Sequence, residues 1–166
     1  DQILIYPNQE SRAEQRIADS SLIFTLDFNN LLRAKPLTSF LQKSLATFVM
    51  IDHHQQPDTY ATITYSDEKA SSTCELIYNT IVSLSSQEAI NQTIAICLYT
   101  GIMTDTGGFR FSMTSPQTHR VAAVLLEKGA NCAQIASDVL DSYSIDRLQL
   151  LGTVLDGLTY LKEYKT

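Results

Sequence analysis

Cysteine is scarce in this chain: Cys74, Cys97 and Cys132 are the only three in 166 residues, far apart and without a Cys-x-x-Cys pair. That excludes a disulfide scaffold and disfavours a zinc site, so the three thiols are expected to be small buried hydrophobes of a reducing cytoplasm. Six glycines and four prolines exclude a collagen-like or low-complexity chain, and a charged fraction of 18% with 44% hydrophobic residues excludes disorder and coiled coil. Basic residues are in deficit, twelve against eighteen acids, for a net charge of −6 and a pI near 4.9. Such a surface does not coat a long nucleic-acid duplex. A small anionic substrate remains compatible, because bound divalent ions supply positive field locally. No apolar run approaches the roughly 18 residues that span a bilayer, and Asp1-Gln2-Ile3 lacks the basic start of a signal peptide. A soluble, cytoplasmic globular domain without a membrane partner is expected.

The start is abrupt. There is no initiator Met, and Ile3-Leu4-Ile5-Tyr6 reads at once as a buried strand, as expected of a segment of a longer protein. Ala13 and Ile17 lie four apart in the polar stretch Gln9 to Ala18, which predicts an amphipathic helix. Ser21 to Asp27 is apolar for most of its length and ends in an acid before the polar turn Asn29-Asn30. Pro36 suits the first position of a helix through Leu37, Phe40, Leu41 and Leu45, and Phe48-Val49-Met50-Ile51 again ends in an acid, Asp52. A further strand is predicted over Ala61 to Tyr65. Apolar strands separated by helical segments predict an α/β fold: a parallel sheet covered on both faces by helices.

The C-terminal half reads as mostly helical. Ser71 or Ser72 caps a helix through Leu76, Ile77, Thr80 and Ile81; Ser86 caps another from Gln87 through Ile94, Ala95 and Leu98, broken at Gly107-Gly108. Pro116 opens a helix through Val121, Val124, Leu125 and Leu126 that Gly129 stops. A short helix near Ile135 to Leu140 and a long one from Ile145 to about Tyr164 complete the pattern. One domain over 1–160 is expected, with 161–166 starting a linker helix towards a further domain.

Asp27 and Asp52-His53-His54 each fall where a buried parallel strand ends, the side of an open α/β sheet on which ligands bind. A mixed carboxylate and imidazole set suits Mn²⁺ better than Mg²⁺. A lone Asp at a strand end also serves as a cap or turn former. In a regular strand His53 and His54 would point to opposite faces, so a division of roles between them is expected. Asp105 ends an apolar helix in Thr104-Asp105-Thr106-Gly107-Gly108, on a glycine-permitted turn that lets a carboxylate approach a ligand, although a plain helix end reads the same way. Arg33 and Arg110 read equally as anion clamps or solvated charges. His119 is expected at the surface, and most of Tyr60, Tyr65, Tyr78, Tyr99, Tyr143 and Tyr160 in or beside the core.

Three segments together resemble, in order and spacing, the second, third and fourth motifs of the DHH phosphoesterases: Thr25-Leu26-Asp27-Phe28-Asn29-Asn30 with Arg33, Val49-Met50-Ile51-Asp52-His53-His54, and Thr100 to Gly107. Ser71-Ser72-Thr73-Cys74-Glu75, Phe109-Arg110-Phe111 through Thr118, and the helix end from Leu125-Leu126 to Gly129-Ala130 look like the branch that cleaves short oligoribonucleotides and dephosphorylates 3′-phosphoadenosine 5′-phosphate. The resemblance spans nearly the whole chain. It implies two Mn²⁺ ions, with Mg²⁺ or Co²⁺ as substitutes, bridged by Asp27. Asp105 and His53 would complete the second ion's shell, and Asp52 would orient the neighbouring imidazole or sit at the edge of the metal shell. His54 would face the scissile phosphate, with Arg33 and Arg110 as substrate contacts. The implied partners are short oligonucleotides and small phosphorylated nucleotides, and a homodimer stays open.

Two family parts have no counterpart here. A His-x-x-x-Asp-x-Asp loop is expected upstream of Ile3, and a substrate-gripping C-terminal domain beyond Thr166. The chain alone is therefore expected to be inactive. Cyclic dinucleotides, pyrophosphate or polyphosphate, and longer single strands stand as alternative substrates, and a non-catalytic nucleotide-binding module as the alternative class.

Overall fold

The computed structural model describes residues 3–6, 8–160 and 163. Three parallel strands, β1 (Leu22–Leu26), β2 (Thr47–Asp52) and β3 (Ile63–Ser66), form a sheet in the order β1-β2-β3. The register pairs Leu26 with Ile51 and Asp52 with Ser66, so the acid-bearing strand ends emerge at one edge of the sheet. The helices are α1 (Glu10–Asp19), α2 (Thr38–Lys43), α3 (Thr73–Leu84), α4 (Gln92–Asp105), α5 (Pro116–Glu127), α6 (Cys132–Ala136) and α7 (Ile145–Asp156). The parallel α/β architecture with a helical second half is the one the sequence predicts.

The chain divides into two compact units, Asp1–Ala130 and Asn131–Thr166. In the first, Leu31, Leu41 and Phe48 pack with Ile17 of α1 and Ile23 of β1, while Ile51, Ala70 and Leu76 pack with Val49 and Ile77. Met50, Leu76, Ile102, Val121 and Leu125 are essentially fully buried. Each contributes roughly 1.5–3 kcal/mol by leaving water. α4 packs between α3 and α5, burying Ala95, Leu98, Tyr99, Ile102 and Met103, the spacing of one helical face. The second unit holds α6, a π-helical turn over Ser137–Asp141 and α7, whose caps Asn131 and Ser144 each accept from a backbone N–H three residues on. Among the described residues no helix is long and apolar enough to cross a membrane.

Several expectations are corrected. Ile3 to Tyr6 forms no strand: Ile3 is 81% exposed, and the Ile5 carbonyl accepts from the Gln9 N–H in a turn leading into α1. Among the described residues no strand pairs with it, and an unpaired apolar run does not make a strand. The sheet is not fully covered on both faces, since Leu22, Phe24 and Ile63 remain exposed on the α3 side. Pro36 follows a cis peptide bond and precedes α2 rather than opening it, and α2 stops at Lys43, short of Leu45. The Ser86 helix is a 3₁₀ turn over Gln87–Ala89, after which Asn91 caps α4. The short helix starts earlier than Ile135, at Cys132. α7 ends at Asp156 with Gly157 as its cap, well before Tyr164, and the linker helix expected over 161–166 falls almost wholly outside the described residues. Cys97 and Cys132 are exposed, and only Cys74 is half-buried. Tyr78 and Tyr99 are buried, but Tyr65, Tyr143 and Tyr160 are exposed.

Candidate metal centre

The first candidate ligand is set by the end of β1. The Asp27 N–H donates to the Ile51 carbonyl at 3.1 Å, completing the ladder, and Asp27 then takes φ 65°. Asp is among the few residues other than Gly that tolerate this left-handed conformation. The chain thus leaves the sheet at Asp27, and its carboxylate stays half-exposed at the strand end. Asn29 fastens the next turn across to the segment after β2, its side-chain amide donating to the Gln55 carbonyl at 2.6 Å.

β2 stops at Asp52, so the alternation of side chains stops there too, and His53 and His54 do not diverge as a regular strand would require. Their rings meet edge to face at 4.8 Å between centroids. One ligand atom each from Asp27, His53 and His54 lie within 4.8 Å of one another. His53 Nε2 is 3.7 Å from Asp27 Oδ1 and 3.9 Å from Asp105 Oδ2. Those separations are too long for hydrogen bonds. They match donors sharing one ion, since ligands about 2.1 Å from a metal stand roughly 3–4 Å apart.

Asp105 arrives from the other side of the cleft because α4 ends where it does. The Gly108 N–H donates to the Met103 carbonyl at 2.8 Å and the Gly107 N–H to the Thr104 carbonyl at 3.1 Å. With Gly107 at φ 58° this is a Schellman stop, and it fixes Asp105 as the last helical residue. Burial and then the neighbouring Asp27 carboxylate push the Asp105 pKa up, while His53 and His54 pull it down less strongly. Two carboxylates that repel across a half-buried gap have the electrostatics of a site awaiting a cation.

Both imidazoles are oriented from behind. His53 Nδ1 lies 3.3 Å from the Ala70 carbonyl, which can only accept, so Nδ1 donates there and Nε2 is the ring nitrogen turned to the carboxylates. His54 Nδ1 donates to Asp52 Oδ1 at 2.7 Å, and the His54 N–H donates to Oδ2 at 3.1 Å. Asp52 is fully buried, with both oxygens engaged behind His54 rather than turned towards Asp27. Arg33 is exposed in a 3₁₀ turn, and Arg110 Nε is tied to the Gly107 carbonyl at 2.6 Å. Among the described residues neither arginine forms an ion pair with the cluster. His119 is exposed as expected and stacks on Phe109.

Sequence reasoning missed Thr73, whose hydroxyl donates to Asp27 Oδ1 at 2.8 Å, the same oxygen that faces His53. It lies in the Ser71 to Glu75 segment, which the sequence marks as a helix start and as part of the family resemblance but not as a partner of Asp27.

The model of the DHH family N-terminal domain matches residues 2–102. The chain is 38% identical over 110 residues to a probable bifunctional oligoribonuclease and PAP phosphatase of Streptococcus mutans, covering 66% of this chain and 34% of that protein. It is 32% identical over 112 residues to a bifunctional oligoribonuclease and PAP phosphatase of Thermus thermophilus, covering 68% of this chain and 34% of the relative. A crystal structure of an exopolyphosphatase-related protein from Bacteroides fragilis superposes with a TM-score of 0.93 at 35% identity, covering 98% of this chain and 48% of that one. The chain thus spans between a third and a half of the length of these relatives. A match over more than half of its residues, together with a strand-end cluster of carboxylates and imidazoles, makes the chain a member of the DHH family.

Proposed function

We propose that this chain is the metal-binding part of a Mn²⁺-dependent phosphoesterase that releases mononucleotides from oligoribonucleotides a few residues long and dephosphorylates 3′-phosphoadenosine 5′-phosphate. The observation that carries the reading is the convergence of Asp27, His53 and His54 ligand atoms within 4.8 Å, with Asp105 facing His53 across 3.9 Å. Two carboxylates and an imidazole form a donor set that fits Mn²⁺, with Mg²⁺ or Co²⁺ as substitutes. The domain is proposed to occupy 1–160, completed by the upstream loop and the downstream domain that the family resemblance implies. Three unpaired thiols agree with a cytoplasmic location.

In this reading Asp27, His53 and Asp105 would hold the metal, with Asp27 as the carboxylate that two ions would share. When bound, the ions supply a water acidic enough to attack at neutral pH and positive charge for the phosphate oxygens. Asp52 keeps the His54 Nδ1 proton in place, which leaves His54 Nε2 to contact the scissile phosphate and hold a proton beside the leaving oxygen. Asp52 acts from behind this imidazole. Arg33 and Arg110 are proposed to bind substrate phosphates, Arg110 by releasing its bond to Gly107. Few contacts and local metal charge suit short anionic substrates, and the net charge of −6 disfavours long duplexes.

The test is Mn²⁺-dependent release of mononucleotide from a 5′-labelled ribo-trimer by the full-length protein, with a 24-mer, 3′-phosphoadenosine 5′-phosphate and polyphosphate alongside. Rapid turnover of the trimer and the mononucleotide, lost on Asp105→Ala, is expected. Polyphosphate as the sole substrate would instead extend to this chain the description given to the Bacteroides fragilis protein. Metal binding without turnover of any substrate would favour a binding module.

A further inference from the structure

Glu75 is 5% exposed and sits at the third position of α3, with no basic partner among the ion pairs of the described residues. A buried carboxylate persists only where its hydrogen bonds are made. A single oxygen, Oε2, accepts from the Ser71 hydroxyl at 2.7 Å and from the Thr118 hydroxyl at 2.9 Å. Thr118 belongs to the first turn of α5, where its own hydroxyl closes the capping box with Ser115. Glu75 therefore pins the segment preceding α3 to the start of α5, across 43 residues of sequence.

That segment is the one that grips the metal cluster from behind. Its first residue, Ala70, supplies the carbonyl that sets His53 Nδ1, and Thr73, three residues on, supplies the hydroxyl that holds Asp27 Oδ1. Ser72 stabilises the same turn by accepting the Glu75 N–H at 3.2 Å. Two candidate ligands, from the ends of two different strands, are thus fixed by one short segment with one buried anchor.

We infer that Glu75 is a positioning residue of the metal centre: through Ser71 and Thr118 it fixes the 70–73 segment, so that the Ala70 carbonyl and the Thr73 hydroxyl present His53 Nε2 and Asp27 Oδ1 at ion-sharing distance. It touches neither metal nor substrate. The inference rests on the metal-site reading above, and its consequence is a pre-formed site, since groups behind the ligands commonly carry about 10- to 100-fold in metal affinity.

The chemistry of the anchor separates position from charge. Because one oxygen accepts both hydroxyls, Glu75→Gln keeps both bonds through its carbonyl while losing the negative charge, whereas Glu75→Leu loses both bonds and the charge. Mn²⁺ affinity of the full chain, read from the free-ion signal in electron paramagnetic resonance, is the measurement, with circular dichroism as the check on folding. Glu75→Gln is expected to bind within about threefold of the unaltered chain, and Glu75→Leu about 10- to 100-fold more weakly. Thr73→Val, which leaves the anchor intact, is expected to bind about tenfold more weakly.

Wild-type affinity in Glu75→Leu would overturn the inference, and so would a Gln variant as weak as Leu, because charge alone would then be the cause. If Glu75→Leu does not fold, Thr73→Val and Ser71→Ala decide, and wild-type affinity in both overturns it. Asp27→Ala separates this from the reading underneath. A chain whose Mn²⁺ binding ignores Asp27→Ala, or that binds none, refutes the metal site itself and this inference with it. Binding lost in Asp27→Ala but unchanged in Glu75→Leu refutes the inference alone.

Discussion

Replacing Gly101 by alanine sets two effects of opposite sign against each other. Gly101 lies within α4, four residues before Asp105, where alanine is worth about 0.8–1.0 kcal/mol over glycine by helix propensity. Against that, a Cβ built at Gly101 meets Cys74 Sγ at 2.2 Å and Cys74 Cβ at 3.0 Å. Cys74 is in the first turn of α3, and its short side chain gives way only if the α3–α4 seam opens. Overpacking of this kind costs roughly 1–3 kcal/mol. With the sulfur so close, the upper part of that range applies, for a net loss of about 1–2 kcal/mol. At this chain length that lowers the melting temperature by about 2–8 °C. In a Cys74→Ala background the obstructing sulfur is gone and only the Cβ at 3.0 Å has still to give, so the same substitution is expected to be close to neutral, about 1–2 kcal/mol less costly than in the unaltered chain. Thermal unfolding of the four proteins of the cycle is the assay. Stabilisation by Gly101→Ala in the unaltered background, or the same effect in both, would refute the close seam that brings α4, and with it Asp105, to the site.

Asp105 predicts a pH dependence. Burial and Asp27 raise its pKa, so the native state binds its proton more tightly than the unfolded chain does, and stability is lost as pH rises through the raised native value. Asp105→Asn is therefore expected to melt higher than the unaltered chain at pH 7 in EDTA, with the difference vanishing below about pH 4; a lower-melting Asn variant at pH 7 would contradict this. The thiols give a third prediction. The Cys74 pKa is pushed up to about 11 by burial and then by Asp105, Asp27 and Cys97, whereas Cys97 and Cys132 are exposed. Iodoacetamide at pH 7.5 should label Cys97 and Cys132 in the native protein and Cys74 only after unfolding, as read by peptide mass spectrometry. Labelling of Cys74 at the rate of the other two would show that the α3–α4 seam is open.

The strand ends that carry Asp27 and Asp52 were legible because a short apolar run closing on an acid is a local signal, and the stop after Asp105 because two glycines follow it. Ile3 to Tyr6 carries the same apolar signal but pairs with no strand among the described residues, which no local pattern reveals. Exposure of Cys97 follows from helical phase and not from residue type: Ala95, Leu98 and Ile102 define the buried face of α4, and Cys97 falls off it. The geometry of His53 and His54 depended on whether β2 continued past Asp52, a boundary the sequence leaves within a residue or two. Thr73 and Glu75 were beyond reach for another reason. Their bonds join residues 46 and 43 positions apart, and only the folded chain brings a serine–threonine segment up behind a metal cluster.

The most direct test of the account is a crystal soaked in Mn²⁺ and measured for anomalous scattering. A peak bounded by Asp27 Oδ1, His53 Nε2 and Asp105 Oδ2, at about 2.1–2.2 Å from each, is expected, and its loss in Asp27→Ala. A Mn²⁺ peak elsewhere on the chain with nothing between these three side chains would contradict it.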